Sequence, residues 1–343
     1  KKRLCIFTKY SSNGPSSKYR AMIFVRDLSN KYDVTVFPFW NVKYYKKYAK
    51  NKRKYLIQIV FAFVLNSLRR LFEILLYGAK SDIVLFQKCV IPGIRWNPIR
   101  FLRRKKIRVF LDVDDAVYLS RRDNTDALAN TANGVIVGNQ TLADHYKKFN
   151  DKVRIIPTVD YTPIYELYRH DTFPSKTVVW IGSAASISNL DQLIDPINRV
   201  VERHPEVSFR YICSDDYGYT SRIDNSIFVP WSEETYLEEL AKGTIGVMPL
   251  DDSNFNRGKC GFKLIQYFNM GKPSVASNVG VNGEIVRDFG FAATNSREWT
   301  TAIEELLFNE KIYRRFEFNI QTLFNERYGY DQALKQLESF LGA

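Results

Sequence analysis

Short apolar runs, each almost uninterrupted, recur along the whole chain with helical stretches between them. They fall at residues 3–8, 33–39, 82–87, 108–113, 134–138 and 152–157, then at 177–182, 207–213, 227–230, 245–250, 273–277 and 290–293. Runs of that length without polar alternation suit parallel strands covered on both faces. Residues 17–30, 190–204, 233–241 and 299–308 carry helical patterns between them. Two successive series of strand–helix units predict an α/β chain of two doubly wound, Rossmann-like domains facing a central cleft. The 343 residues are enough for two cores of ordinary size. The expected domains are 1–160 and 165–327, divided within 158–176, where Pro163 and Pro174 interrupt a stretch of little periodicity. Ligands of such sheets bind beyond the carboxyl ends of the strands, so chemistry is expected in the loops that follow them.

Charge is unevenly divided. Residues 1–160 hold 32 Lys and Arg against 12 Asp and Glu, while the remainder is mildly acidic within a net charge of +13. A basic half implies an anionic partner, either nucleic acid or an anionic membrane leaflet. Cys5, Cys89, Cys213 and Cys260 form no CxxC pair, which argues against a disulfide scaffold or zinc site and favours a cytoplasmic setting. The opening KKRLCIF reads as a strand rather than a cleavable signal.

The most specific segment is RGKCGFKLIQYFNMGKPSVAS at residues 257–277. A glycine-rich turn leads into a helix that should end at Gly271, with Pro273 opening the next strand. Lys263 and Gln266 stand at i, i+3 with Lys259 one turn earlier, so the three are expected to share a face. Amides at a helix N-terminus carry partial positive charge and suit a phosphate. Lys259, Lys263 and Arg257 would add full charges for a diphosphate, and Gln266 could bond ribose hydroxyls. The alternative is a basic, capped helix that merely packs. GxxxxGK[ST] is not matched, so an ATPase reading is poor.

Residues 259–280 resemble the donor-site signature of family 4 retaining glycosyltransferases of the GT-B fold. They are most similar to a subgroup with KCxFKLxQY in place of two glutamates eight residues apart. The resemblance implies transfer of a sugar from a nucleotide-sugar donor to a glycan or lipid-linked acceptor in cell-surface polysaccharide assembly, with retention and without a required metal or cofactor. It puts donor contacts at Arg257, Lys259, Gly261, Phe262, Lys263 and Gln266, and further ones at Gly182, Ser183 and Glu284. Gly258 and Gln266 occupy the two glutamate positions, so Gln266 is left to serve the ribose. Ser183 and Ser188 stand where many relatives have Arg and Lys on the diphosphate, which leaves that charge to Lys259 and Lys263. Glu284 could equally cap the short helix that follows. The resemblance also implies that a C-terminal helix, residues 328–343, rejoins the first domain.

In the first domain, Gly14 lies in a loop that the resemblance places over the donor, with Ser16 and Ser17 as caps of the next helix. Three carboxylates close the strand FLDVDDAVY at 110–118, where unpaired charge is costly. By the resemblance, Asp114 and Asp115 stand beside the reacting sugar carbon, to stabilise positive charge or orient the acceptor hydroxyl. The plain alternative makes Asp115 a helix cap. Asp112-Val-Asp114 also resembles the DxD of haloacid-dehalogenase-like phosphatases, with Asp112 as nucleophile, although Ala116 departs from that pattern.

Residues 43–54 contain Lys43, Lys46, Lys47, Lys50, Lys52, Arg53 and Lys54 among aromatics, followed by an apolar run of ten. The run is too short to span a bilayer, and it reads either as a basic amphipathic helix on an anionic membrane or as a core helix with a basic flank. Arg100 to Arg108 adds six more charges. The chain is thus expected in the cytoplasm and, on the first of these readings, at the inner face of the cell membrane. No nucleic-acid motif is recognisable, so a nucleic-acid partner is not expected; a basic nucleic-acid or membrane-binding module is the non-enzymatic alternative.

Overall fold

A computed structural model describes residues 1–48 and 51–342, apart from the side chains at 45 and 46. Lys50 and the Lys46 side chain therefore lie outside the described residues. The chain forms two compact units: Lys1–Thr158 with Ala333–Ala343, and Val159–Gln332. Each of the twelve apolar runs forms a strand. In unit 1 these are β1 (Lys2–Tyr10), β2 (Tyr32–Trp40), β3 (Ile83–Gln87), β4 (Arg108–Val113), β5 (Gly134–Val137) and β6 (Val153–Ile155). In unit 2 they are β7 (Thr177–Ile181), β8 (Ser208–Cys213), β9 (Ser226–Pro230), β10 (Ile245–Met248), β11 (Ser274–Ser277) and β12 (Gly290–Ala293). These strands pair in parallel, as the lack of polar alternation predicts.

Strand order decides where a ligand can sit. Unit 1 runs β2-β1-β3-β4-β5-β6, so the order reverses between β1 and β3. Unit 2 runs β12-β11-β10-β7-β8-β9, the dinucleotide-binding order read from its far edge, and reverses between β7 and β10. Loops leaving adjacent strands part at such a point and open a crevice at the strand ends.

Alternate residues of β7 feed two layers. Val178 and Trp180 pack with Ile197, Trp299 and Ile303 on one face, and Val179 and Ile181 with Leu237, Leu264 and Phe268 on the other. The stretch expected to be a plain linker supplies Tyr165 to the second layer from a short helix, Thr162–Glu166, whose Pro163 suits a first turn.

Helices differ from expectation mainly in continuity. Residues 17–30 form Pro15–Arg20, a 3-10 turn Met22–Phe24 and Val25–Leu28, because Ala21 leaves the helical region at φ −134°. Residues 190–204 begin as a 3-10 turn and become α-helical only at Ile194–Arg203, where Pro196 sits in the first turn and its missing N–H costs nothing. The helix Ser296–Phe308 starts earlier than its apolar pattern. Asn295 accepts from the Glu298 amide at 3.0 Å while Glu298 accepts from the Thr294 amide at 2.7 Å, so two orphan donors are satisfied together.

Candidate functional site

Unit 2 carries the residues of the KCGFKLIQY segment. After β10 the chain makes a short helix, Asn254–Arg257, a turn, and then the helix Phe262–Asn269. Gly261 enters that helix at φ +65°, a left-handed conformation, and a Cβ there would lie 2.6 Å from Ile285 Cδ1, so glycine is required twice over. Every residue from Leu264 to Asn269 is buried. Tyr267 ties the helix down: its hydroxyl donates to Val247 O of β10 (3.0 Å) and accepts from the Ile181 amide of β7 (3.2 Å). The N-terminal turn is thereby fixed at the point where the strand order reverses.

Lys263 stands in that turn, half-buried, with its Nζ 5.5 Å from the centre of the Trp180 ring. Among the described residues its side chain forms no ion pair or hydrogen bond. Loss of water and then repulsion from Lys259 push its pKa down to about 7. A desolvated ammonium beside a second one is a site poised for an anion, and a diphosphate would relieve both penalties.

The other residues of the segment are arranged differently from the sequence reading. Lys259 does not share a helical face with Lys263, because the helix begins only at Phe262; the turn carries it there instead, near the Phe255 ring at 5.8 Å. Arg257 is exposed and held by Asp252 through two hydrogen bonds of 2.6 and 2.9 Å, so its charge is already matched. Gln266 is 6% exposed and donates to Tyr165 Oη at 3.4 Å, and Tyr165 in turn donates to Asp160 Oδ2 at 2.6 Å. Tyr165 and Asp160 escaped the sequence reading since no pattern joins 160–165 to 266. Gly182 follows β7 where a Cβ would fall 2.3 Å from the Trp180 ring. Ser183 is exposed, and its amide donates to Ser186 Oγ at 3.1 Å. Glu284 is exposed in the first turn of Asn282–Val286.

Unit 1 has its own polar cluster, again where strand order reverses. Lys88, immediately after β3, takes φ +63° and sends its ammonium to Asp114 at 2.9 Å and to Asp115. Ser16 Oγ donates to Asp114 Oδ2 (2.5 Å) and accepts from Gln87 Nε2 (2.9 Å), while Ser17 Oγ donates to Gln87 Oε1 (3.0 Å). Burial works against the Lys88 charge, but the two carboxylates outweigh it and hold its pKa well above the ordinary lysine value. Burial likewise opposes ionised Asp114, yet Lys88, Arg20 and the Ser16 bond keep its pKa below the usual carboxylate range.

These contacts correct three expectations. Ser16 and Ser17 do not cap their helix; Gly14 is the cap residue, and the two hydroxyls turn to Asp114 and Gln87. Asp115 caps no helix, since a 3-10 turn follows and its carboxylate pairs with Lys88. Asp112 is 2% exposed and gripped by Arg20 Nη2 at 2.5 Å and Nε at 3.2 Å, which leaves it unsuited to attack a phosphate. Lys88 was missed, although its place directly after a predicted strand was a usable signal.

A cavity of about 420 Å³ lies elsewhere in unit 2, lined by His204, Glu304, Glu305, Phe308 and Glu310. Its carboxylates disfavour a phosphate, and none of the candidate residues lines it.

The family described as glycosyl transferases group 1 matches residues 175–309, which take in both β7 and the Lys259–Gln266 region. The matched residues lie within the second unit. No curated protein sequence matches the chain. Among solved structures, the lipopolysaccharide outer core galactosyltransferase WaaB in its apo form is similar at TM-score 0.64 and 12% identity, covering 99% of each chain. An α-glucosyltransferase in complex with UDP and a 13-mer DNA is similar at TM-score 0.63 and 15% identity, covering 100% of each. TarM of S. aureus, in complex with UDP and alpha-GlcNAc-glycerol, gives TM-score 0.57 at 15% identity over 78% of this chain, which spans 58% of the TarM chain. At such identities the likeness carries the two-domain Rossmann-like α/β fold. The matched residues of unit 2 thus include Lys263, at the reversal point of the sheet.

Proposed function

We propose that the chain is a glycosyltransferase that holds a nucleotide-sugar donor at the Lys259–Lys263 turn of unit 2 and passes its sugar to a glycan or lipid-linked acceptor. The observation that carries this reading is Lys263: a desolvated cation beside Lys259, with no ion pair among the described residues. In the bound state the two ammonium groups neutralise the diphosphate, so no metal ion is needed for that task. UDP in the TarM and α-glucosyltransferase structures supports trying uridine nucleotides first. Gln266 is too deeply placed to reach a ribose as it stands; it acts through Tyr165 unless its side chain turns outward. In unit 1, Asp115 is the more accessible carboxylate, with a side chain 32% exposed against 10% for Asp114. Asp115 is therefore the candidate to stabilise charge at the anomeric carbon or to orient the acceptor hydroxyl, and Asp114 the group that fixes Lys88. Retention of configuration follows from the resemblance and is checked on the product's anomeric proton.

Thermal shift with a panel of nucleoside diphosphates tests the donor assignment, because a ligand bound to the native state raises its stability. A rise in the midpoint with one or more of them, much reduced in Lys263→Met, is the expected result. An equal rise in the variant refutes the site.

A nucleic-acid acceptor is the second reading, favoured by the DNA in the α-glucosyltransferase structure and by the basic charge of residues 1–160. It requires steeply salt-dependent binding of duplex DNA to the intact protein.

A further inference from the structure

The Leu56–Leu76 helix is turned inside out relative to an ordinary surface helix. Ile57, Phe61, Val64, Leu68, Phe72 and Leu75 follow one another at spacings of three and four, forming one stripe about 27 Å long at 1.5 Å per residue. That stripe faces away from the protein: Ile57 is 82% exposed, Phe61 66% and Phe72 61%. The side turned to unit 1 buries a charge instead. Arg70 is fully buried, donates to the carbonyls of Val90, Thr8 and Phe37 at 3.3, 3.1 and 2.8 Å, and pairs with Glu73 at 3.2 Å. Its guanidinium lies over the rings of Phe7 and Phe39. Arg69 reaches the Pro38 and Phe39 carbonyls, and Phe63 packs against Phe39 at 5.7 Å, so the orientation is fixed by both polar and apolar contacts. An apolar patch of this length is rare on a protein surrounded by water.

Charge selects what covers it. Residues 41–80 hold ten Lys and Arg against one Glu, and Lys47, Lys52, Arg53 and Lys54 are exposed just before the helix. A second copy would bring the same positive charge to the same face, whereas anionic phospholipid offers both acyl chains and negative headgroups. Among the described residues no helix is long and apolar enough to cross a membrane, and one side of this one is fastened to unit 1. We propose that the helix lies in the interface of an anionic bilayer, its Ile57-to-Leu75 stripe among the acyl chains and the preceding lysines on lipid phosphates. The proposal deepens the lipid-linked-acceptor side of the functional reading but stands apart from donor binding.

The test is flotation of the intact protein with phosphatidylcholine vesicles, with and without phosphatidylglycerol, beside a variant carrying Ile57→Ser, Phe61→Ser and Phe72→Ser. These side chains are exposed in the free protein, so the thermal midpoint of the variant should not fall; the midpoint and the nucleotide response are recorded on the same samples. Expected are flotation with the anionic vesicles, weaker flotation with the neutral ones, and a loss of roughly tenfold or more in partition for the variant. Failure of the wild type to float with anionic vesicles overturns the proposal. So does equal flotation of the variant, which would assign binding to the basic flank alone. Sedimentation showing a wild-type dimer that the three substitutions make monomeric assigns the stripe to a second copy and overturns it too. A missing nucleotide response, by contrast, counts only against the donor site.

Discussion

Lys263 shows how one side chain can be destabilising on its own and useful with a ligand. Its neutral form is favoured because burial and Lys259 both oppose the charge, so a diphosphate must be accompanied by a proton once the pH rises above about 7. Donor affinity should therefore be highest below that pH and fall by about tenfold per unit above it, until the bound-state value is reached. Lys272 is also pushed down to about 7 by burial, but its ammonium is enclosed by the carbonyls of Ala241 and Gly243. Isothermal titration across pH 6–9 should therefore show that slope in the wild type and its absence in Lys263→Met. The same variant should raise the midpoint of the unliganded protein by about 2–4 °C, since it removes a desolvated charge. A lysine that merely packed would give neither result.

Lys88 is the opposite case, a buried cation with two partners. Lys88→Met removes the ammonium that Asp114 and Asp115 share and should cost about 3–5 kcal/mol in urea unfolding. Adding Asp114→Asn should restore part of that loss, because one of the two neighbouring carboxylate charges is then gone. An unaltered urea midpoint in the single variant would show that the pair is worth no more than an exposed one.

Among the elements, the Phe262–Asn269 helix was legible at both ends. Gly261 and Gly271 bracket it, and both take left-handed φ, which is the reason glycine is needed there. Its depth was not legible: the pattern suggested only that Lys259, Lys263 and Gln266 share a face, whereas six consecutive residues are buried. Gly261→Ala forces a Cβ onto Ile285 and into a disfavoured φ, so it should cost about 1–3 kcal/mol and weaken nucleotide binding together, as seen by thermal shift. The Leu56–Leu76 helix misleads in the other direction. Its apolar run reads equally as core or as membrane-facing, and only the placement of Arg70 inside and Phe61 outside rules out the core reading. Breaks at Ala21 and before Ile194 were missed because helical periodicity continues through 3-10 turns.

The molecule divides into two units, and the last helix belongs to both. Tyr330–Gly342 begins in unit 2 and ends in unit 1, where Leu337 and Leu341 are buried and Phe340 meets Phe110 at 5.4 Å. Truncation after Gln332 removes those three apolar side chains and should destabilise unit 1 by about 4–8 kcal/mol. Hydrogen exchange should then rise through β1–β6 while the nucleotide-induced shift of unit 2 is retained; equal loss of protection in both units would contradict two separate cores.

Local chemistry settled the parallel strands and the glycine-bounded helix, because apolar runs, turns and caps act over a few neighbouring residues. The spacing of Lys259, Lys263 and Gln266 can likewise be read along the chain. Which charges meet could not be read that way. Lys88 with Asp114 and Asp115, Arg20 with Asp112, and Gln266 with Tyr165 are joined by strand order across tens of residues, and burial then decides whether each charge is matched, neutralised or left for a ligand.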